Sequence, residues 1–152
     1  MFEIKPWNPE TFRQQTRRST LIIAVTFIAL AMALSTLIAG YLYARVSGPR
    51  DNRDISIAYW TLVAEQVHLR KARKLMVVEA LGEREGDHEV PFMVDALIEM
   101  GLDKIQVAFV VNRIDILGAM EHGEILALER GANGRVFGNA TVAERWLRHG
   151  GL

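Results

Sequence analysis

Asn112, Arg113 and Asp115 bring a side-chain amide, a guanidinium and a carboxylate together just past the apolar run Ile105 to Val111. A carboxylate accepts hydrogen bonds, a guanidinium donates them, and a side-chain amide does both. Nucleotide phosphates require more, and the chain has neither a G-x-x-x-x-G-K-[ST] loop to cradle them with N–H groups nor an Asp-x-x-Gly for magnesium. The 4 histidines, His68, His88, His122 and His149, lack the H-E-x-x-H spacing that puts two ring nitrogens on one helical face, so no metal site is expected. Ser47 and Ser56 stand in neither a G-x-S-x-G elbow nor an S-x-x-K pair. With 0 cysteines, thiolate catalysis and disulfides are excluded. These residues give no catalytic group and no cofactor, and the expectation is a protein that is not an enzyme.

The segment Val110-Val111-Asn112-Arg113-Ile114-Asp115 resembles the guanine-reading motif of small GTPases, an apolar strand followed by Asn-Lys-x-Asp. It is also similar to the late strand and Asn-Arg segment of partition-type ATPases. The first resemblance implies that Asp115 would accept from the guanine edge and that Asn112 would stabilise the loop, with Arg113 standing where that family has Lys. An alternative function follows from it, a membrane-tethered nucleotide-binding module.

The elements that must position these residues begin with a membrane span. Leu21 to Leu42 is apolar, with no charge between Arg18 and Arg45. Its roughly 22 residues would extend about 33 Å as a helix, enough to cross a hydrocarbon core of about 30 Å. A cleaved signal peptide fits less well, because the apolar run is longer than such segments carry and Leu42-Tyr43-Ala44 is a poor cleavage site. Arg17 and Arg18 read as a topology anchor, and Tyr41 and Tyr43 as an aromatic belt at the far end. Basic residues stand on both flanks; the tight arginine pair favours a cytoplasmic N-terminus with the C-terminal domain outside. Thr26, Ala29, Ala33, Thr36 and Gly40 form a stripe of small residues at alternating spacings of three and four, a face on which a second helix can approach closely.

The stretch from Pro6 to Met32 resembles the start of a family of small proteobacterial inner-membrane proteins of unknown function. The resemblance covers residues 1–45 and implies a bacterial inner-membrane location, with no site carried over.

Of the 152 residues, those after the span suffice for one small domain. The division expected is a polar tail over 1–19, a transmembrane helix over 20–44, a linker over 45–53 broken by Gly48-Pro49, and a soluble domain over 54–152. Within the domain, Ile55, Tyr59, Leu62, Val63 and Val67 predict a helix with Asp54 as N-cap, ending in the basic run Arg70 to Lys74. That run has two readings, a lipid-headgroup contact or a solvated helix end, and the acidic residues that follow favour the second. Leu75 to Val78 is the last turn of that helix or a short strand. Pro91 opens a second helix stopped by Gly101; the Val-rich run Ile105 to Val111 favours a buried strand, while the length of Lys104 to Leu117 also allows a helix with Val107, Val110, Val111, Ile114 and Leu117 on one face. Glu124 to Glu129 and Arg135 to Phe137 are expected as a hairpin around Asn133-Gly134, and Thr141 caps a last helix bearing Trp146.

The fold class expected is therefore a single transmembrane α-helix followed by a small mixed α/β soluble domain, the alternative being an all-α helical hairpin. The 18 Lys and Arg are balanced by 18 Asp and Glu, so no basic field invites nucleic acid. The partners expected are the lipid bilayer and either a second copy of the chain or another membrane protein. The function expected is that of a single-pass inner-membrane accessory or scaffolding protein associating through its helix and its domain.

Overall fold

A computed structural model describes residues 40–86 and 89–150. Four strands, β1 (Leu42–Asp51), β2 (Lys74–Arg84), β3 (Gln106–Val111) and β4 (Asn133–Phe137), form one sheet in the order β1-β2-β3-β4. Every neighbouring pair is parallel. Parallel neighbours need crossovers, supplied by α1 (Arg53–Arg70), α2 (Val90–Glu99) and α3 (Leu117–Glu129); α4 (Ala140–His149) follows β4. Right-handed crossovers between strands added in sequence order leave all three helices on one face. The buried residues divide accordingly. One cluster joins Leu42, Ala44, Val46, Leu75, Val77 and Leu81 to Tyr59, Trp60, Val63 and Val67 of α1. The other sets Met76, Ala108 and Val110 against Ala143 and Leu147 of α4.

The small α/β domain expected from the sequence is present, and the all-α alternative is overturned by the four strands. The segment expected as a linker is not one: residues 45–51 belong to β1, whose Leu42, Ala44 and Val46 alternate with Tyr43, Arg45 and Ser47 at the strand period. Leu42 to Ala44, expected at the end of the membrane helix, are strand as well. Gly48-Pro49 does not break β1, because an edge strand can dispense with a ladder N–H. Opposite it lies Gly82, where any Cβ would overlap the Pro49 carbonyl group. Gly40 sits in a bend at φ 71° leading into β1, so it is no member of a helical stripe. Thr26, Ala29, Ala33, Thr36, Arg17 and Arg18 lie outside the described residues. Among those described, no helix is long and apolar enough to cross a membrane.

Local chemistry explains the helix boundaries. α1 starts two residues earlier than expected: Asn52, not Asp54, is the N-cap, its Oδ1 accepting from the Ile55 N–H at 3.0 Å. It ends in a Schellman pair, with Lys71 at φ 52° donating to His68 O at 3.2 Å and Ala72 donating to Val67 O at 3.0 Å. Pro91 does open α2, and Gly101 at φ 78° follows its end. The expected hairpin is absent. Residues 124–129 continue α3, which closes at Gly131 (φ 81°) with Ala132 N–H on Ala127 O at 2.9 Å, and Asn133-Gly134 already lie in β4. Asn139, not Thr141, caps α4, accepting from Thr141 N–H at 2.8 Å and Val142 N–H at 3.3 Å. At the other end of α4, Lys74 Nζ and Gln106 Nε2 donate to the carbonyls of Leu147 and Trp146, a favourable cation and amide at the negative end of the helix dipole.

Candidate functional site

Leu75, Val77, Glu79 and Leu81 fall on the same face of β2, so strand periodicity drives one carboxylate into the apolar layer beneath α1. Glu79 is 8% exposed. The Tyr59 hydroxyl on α1 donates to its Oε2 at 2.7 Å. Burial pushes the Glu79 carboxyl above its ordinary value, the Tyr59 hydrogen bond opposes this, and the nearby Asp51 carboxylate adds to it. Burial, then the charge of Glu79, holds the Tyr59 phenol well above its own ordinary value. Asp51, at the end of β1, accepts from Ser56 Oγ at 3.3 Å and faces Arg113 Nη1 at 3.7 Å.

Arg113 ties three elements together. Its guanidinium donates to Gly82 O at the end of β2, pairs with Asp51 from β1, and forms a two-pronged contact with Asp115, Nε to Oδ1 at 3.2 Å and Nη2 to Oδ2 at 2.5 Å. These pairs hold the Asp115 carboxyl below its ordinary value, the Arg113 hydrogen bond being the main cause. Asn112 is exposed just past β3, and both residues expected to read a nucleotide therefore stand beyond the C-terminal end of a parallel strand. The Asp115 carboxylate, however, already holds a guanidinium.

Over the same sheet face lies a half-open cavity of about 160 Å³, lined by α1, α2, α3 and the strands. Trp60, Met93, Leu97, Val107, Phe109 and Met120 supply most of its apolar wall, while Tyr59, Glu79, Asp51 and Arg84 border one end. Its presence explains an anomaly of packing. Val107 and Phe109 project from a central strand toward the helix-covered face yet are only half-buried, whereas Ala108 and Val110 on the α4 face are buried. α3 likewise has no buried residue along Leu117–Glu129, and Ile125 and Leu128 are exposed. It is held instead by polar ties, with Glu124 Oε2 accepting from the Val136 N–H at 2.8 Å and Arg130 Nε of its C-terminus 2.8 Å from Asp95 of α2.

Asp103 borders the opposite end of the cavity, in the 3₁₀ turn Leu102–Lys104 before β3. Its Oδ1 is buried and has no hydrogen-bond partner among the described residues.

The sequence pointed to Asn112 and Asp115 and missed Glu79, Tyr59, Asp51 and Asp103. One signal for Glu79 was present: a single acid at period two within Leu75 to Leu81, visible once that run is read as a strand. Of the histidines, His68 Nε2 meets Met100 O at 2.7 Å, His122 is exposed on α3 and His149 ends α4. Among the described residues no group of three or more His, Asp or Glu could hold a metal ion. No family model, curated protein or solved structure matches the chain.

Proposed function

We propose that this chain is a non-enzymatic accessory protein whose α/β domain binds a small, mostly apolar molecule. The observation that supports this reading is the cavity under α2 and α3, apolar along its walls and polar at its ends, the usual make-up of a small-molecule site. The half-open side of the cavity beneath α3, which buries none of its side chains, supplies a route in. The charge-free run over 21–39, about 19 residues, supports a membrane anchor directly before the domain, at a bacterial inner membrane. Thr26, Ala29, Ala33 and Thr36 within it suit association with a second copy or another membrane helix.

Trp60 lines the cavity and reports on it. Titration of the full chain with 1-octanol should change tryptophan emission saturably, the change being lost in Trp60→Phe and in Ala119→Phe, which fills the cavity from α3. A linear response, or one indifferent to both substitutions, overturns the binding reading.

A second reading, nucleotide binding through Asn112 and Asp115, draws support from their location past a parallel strand, where α/β sheets take ligands. It requires Asp115 to release Arg113. Guanosine nucleotide binding by the wild type, abolished in Asp115→Ala, would establish it; no binding by the wild type ends it.

A further inference from the structure

Each strand after β1 starts where a helix has just ended, so the connections leading into β2 and β3 lie side by side at one end of the sheet. Gln106 N–H at the start of β3 donates to Arg73 O at 3.0 Å across that end. Arg70, Lys71 and Arg73 of the first connection and Lys104 of the second are exposed, and among the described residues none of these four cations is ion-paired. Lys74 is turned inward to Leu147 O and does not belong to the group. Leu69, beside it, is 76% exposed. The acids that follow in sequence are carried away by the strand: Glu79 is buried beneath α1, and Glu83 stands roughly 30 Å from Lys74 at about 3.3 Å per residue. Glu99 and Glu129 close α2 and α3 at the basic end and Asp103 lies beside Lys104, but none of these acids pairs with the four cations.

The chain enters the domain at this same end. Leu42 is paired with Leu75, which sets the start of β1 beside Lys74 and leaves Gly40 and Tyr41 between the sheet and the charge-free run over 21–39. Two residues extend at most about 7 Å, less than the screening length of about 8–10 Å at ordinary ionic strength, so a bilayer that the run enters at residue 39 lies within reach of the cations. We propose that Leu69, Arg70, Lys71, Arg73 and Lys104 form a surface that rests on anionic phospholipid head groups and holds the N-terminal ends of the strands toward the bilayer. Basic segments next to a membrane anchor are drawn to anionic lipid, and Leu69 adds an apolar side chain that sinks among the head groups alongside the stems of its basic neighbours. This inference rests on residues 21–39 being a membrane anchor and is independent of the cavity.

With 0 cysteines in the chain, Leu69→Cys gives the full-length protein a single thiol for an environment-sensitive dye. The labelled protein would be reconstituted into vesicles of phosphatidylcholine alone and into vesicles of an equal mixture of phosphatidylcholine and phosphatidylglycerol. The expected result is flotation with both, a blue-shifted emission in the mixed vesicles alone, and loss of that shift at high salt. The shift should also be lost when Arg70→Gln, Lys71→Asn and Arg73→Gln are combined, asparagine suiting the φ of 52° at position 71. Equal emission in the two vesicles, or a shift that survives high salt or the triple substitution, overturns the inference and leaves the anchor standing. Failure to float with either vesicle overturns both.

Discussion

The Tyr59 hydroxyl and the Glu79 carboxylate meet at 2.7 Å inside the apolar layer between α1 and the sheet, a buried acid held by a single phenol. Burial is the first cause of the raised carboxyl value, so the protonated form of Glu79 is the better guest of the folded state. Its contribution is fully present below the ordinary carboxyl range and is lost as pH rises through the raised folded value. Glu79→Gln, which keeps an acceptor for Tyr59 and cannot ionise, should therefore gain on the wild type as pH rises. Urea unfolding at about pH 4.5 and about pH 7.5 checks this, with the advantage of the variant larger at the higher pH. A constant difference would show that Glu79 ionises as easily in the fold as in water.

Arg113 and Asp115 share a contact but not a burden. Arg113→Met removes one partner of buried Asp51 and the donor to Gly82 O, and should cost about 2–4 kcal/mol in urea unfolding. Asp115 is mostly exposed, so Asp115→Ala should leave the urea midpoint close to that of the wild type. Equal losses for the two variants would mean that the exposed pair, not the link to β1 and β2, is what matters.

Capping residues give a direct comparison of sequence expectation with structure. Asn139→Ala removes the acceptor for two N–H groups at the start of α4 and should cost about 1 kcal/mol. Thr141→Ala, at the position the S/T-x-x-E pattern favoured, lies inside the helix and should change stability by less than about 0.5 kcal/mol. Thermal or urea melts of the two single variants decide between them.

Membrane insertion is tested by topology. A periplasm-active phosphatase and a cytoplasm-active fluorescent protein, each fused after Leu152, should give phosphatase activity and no fluorescence if the domain stands outside. Fluorescence alone would reverse the orientation. Equal signals from the soluble fraction would remove the anchor altogether.

Much of the fold was legible because two of its signals are strong in one dimension. Val107 to Val111 is an apolar, β-branched run after a glycine stop, and β3 lies there; Pro91 and Gly101 bracket α2 as written. β1 was misread for a physical reason. Its first residues continue an apolar run from upstream, and its last contain Gly-Pro, so the period-two alternation of Leu42, Ala44 and Val46 was masked on both sides. The hairpin expected around Asn133-Gly134 failed because the turn is made by Gly131, and α3 carries no buried stripe to announce itself as a helix. The cavity was illegible for a similar reason. It arises from what three helices and a sheet leave unfilled, a property of no single segment.

The overlap that any side chain at position 82 would suffer with the Pro49 carbonyl also bears on how the sheet is assembled. In the parallel pairing of β1 with β2, Leu42 and Ala44 stand against Leu75 and Val77, with Val46 and Leu81 further along the same face, and a two-residue slip would keep every side chain on its proper face. Such a slip would bring Pro49 opposite Ala80 or Arg84 in place of Gly82, each carrying a Cβ where the chain leaves no space. Gly82 thus rejects the alternative alignments that hydrophobic patterning alone would permit, and Gly82→Ala should yield misaligned or aggregating chain in preference to a merely weakened native state.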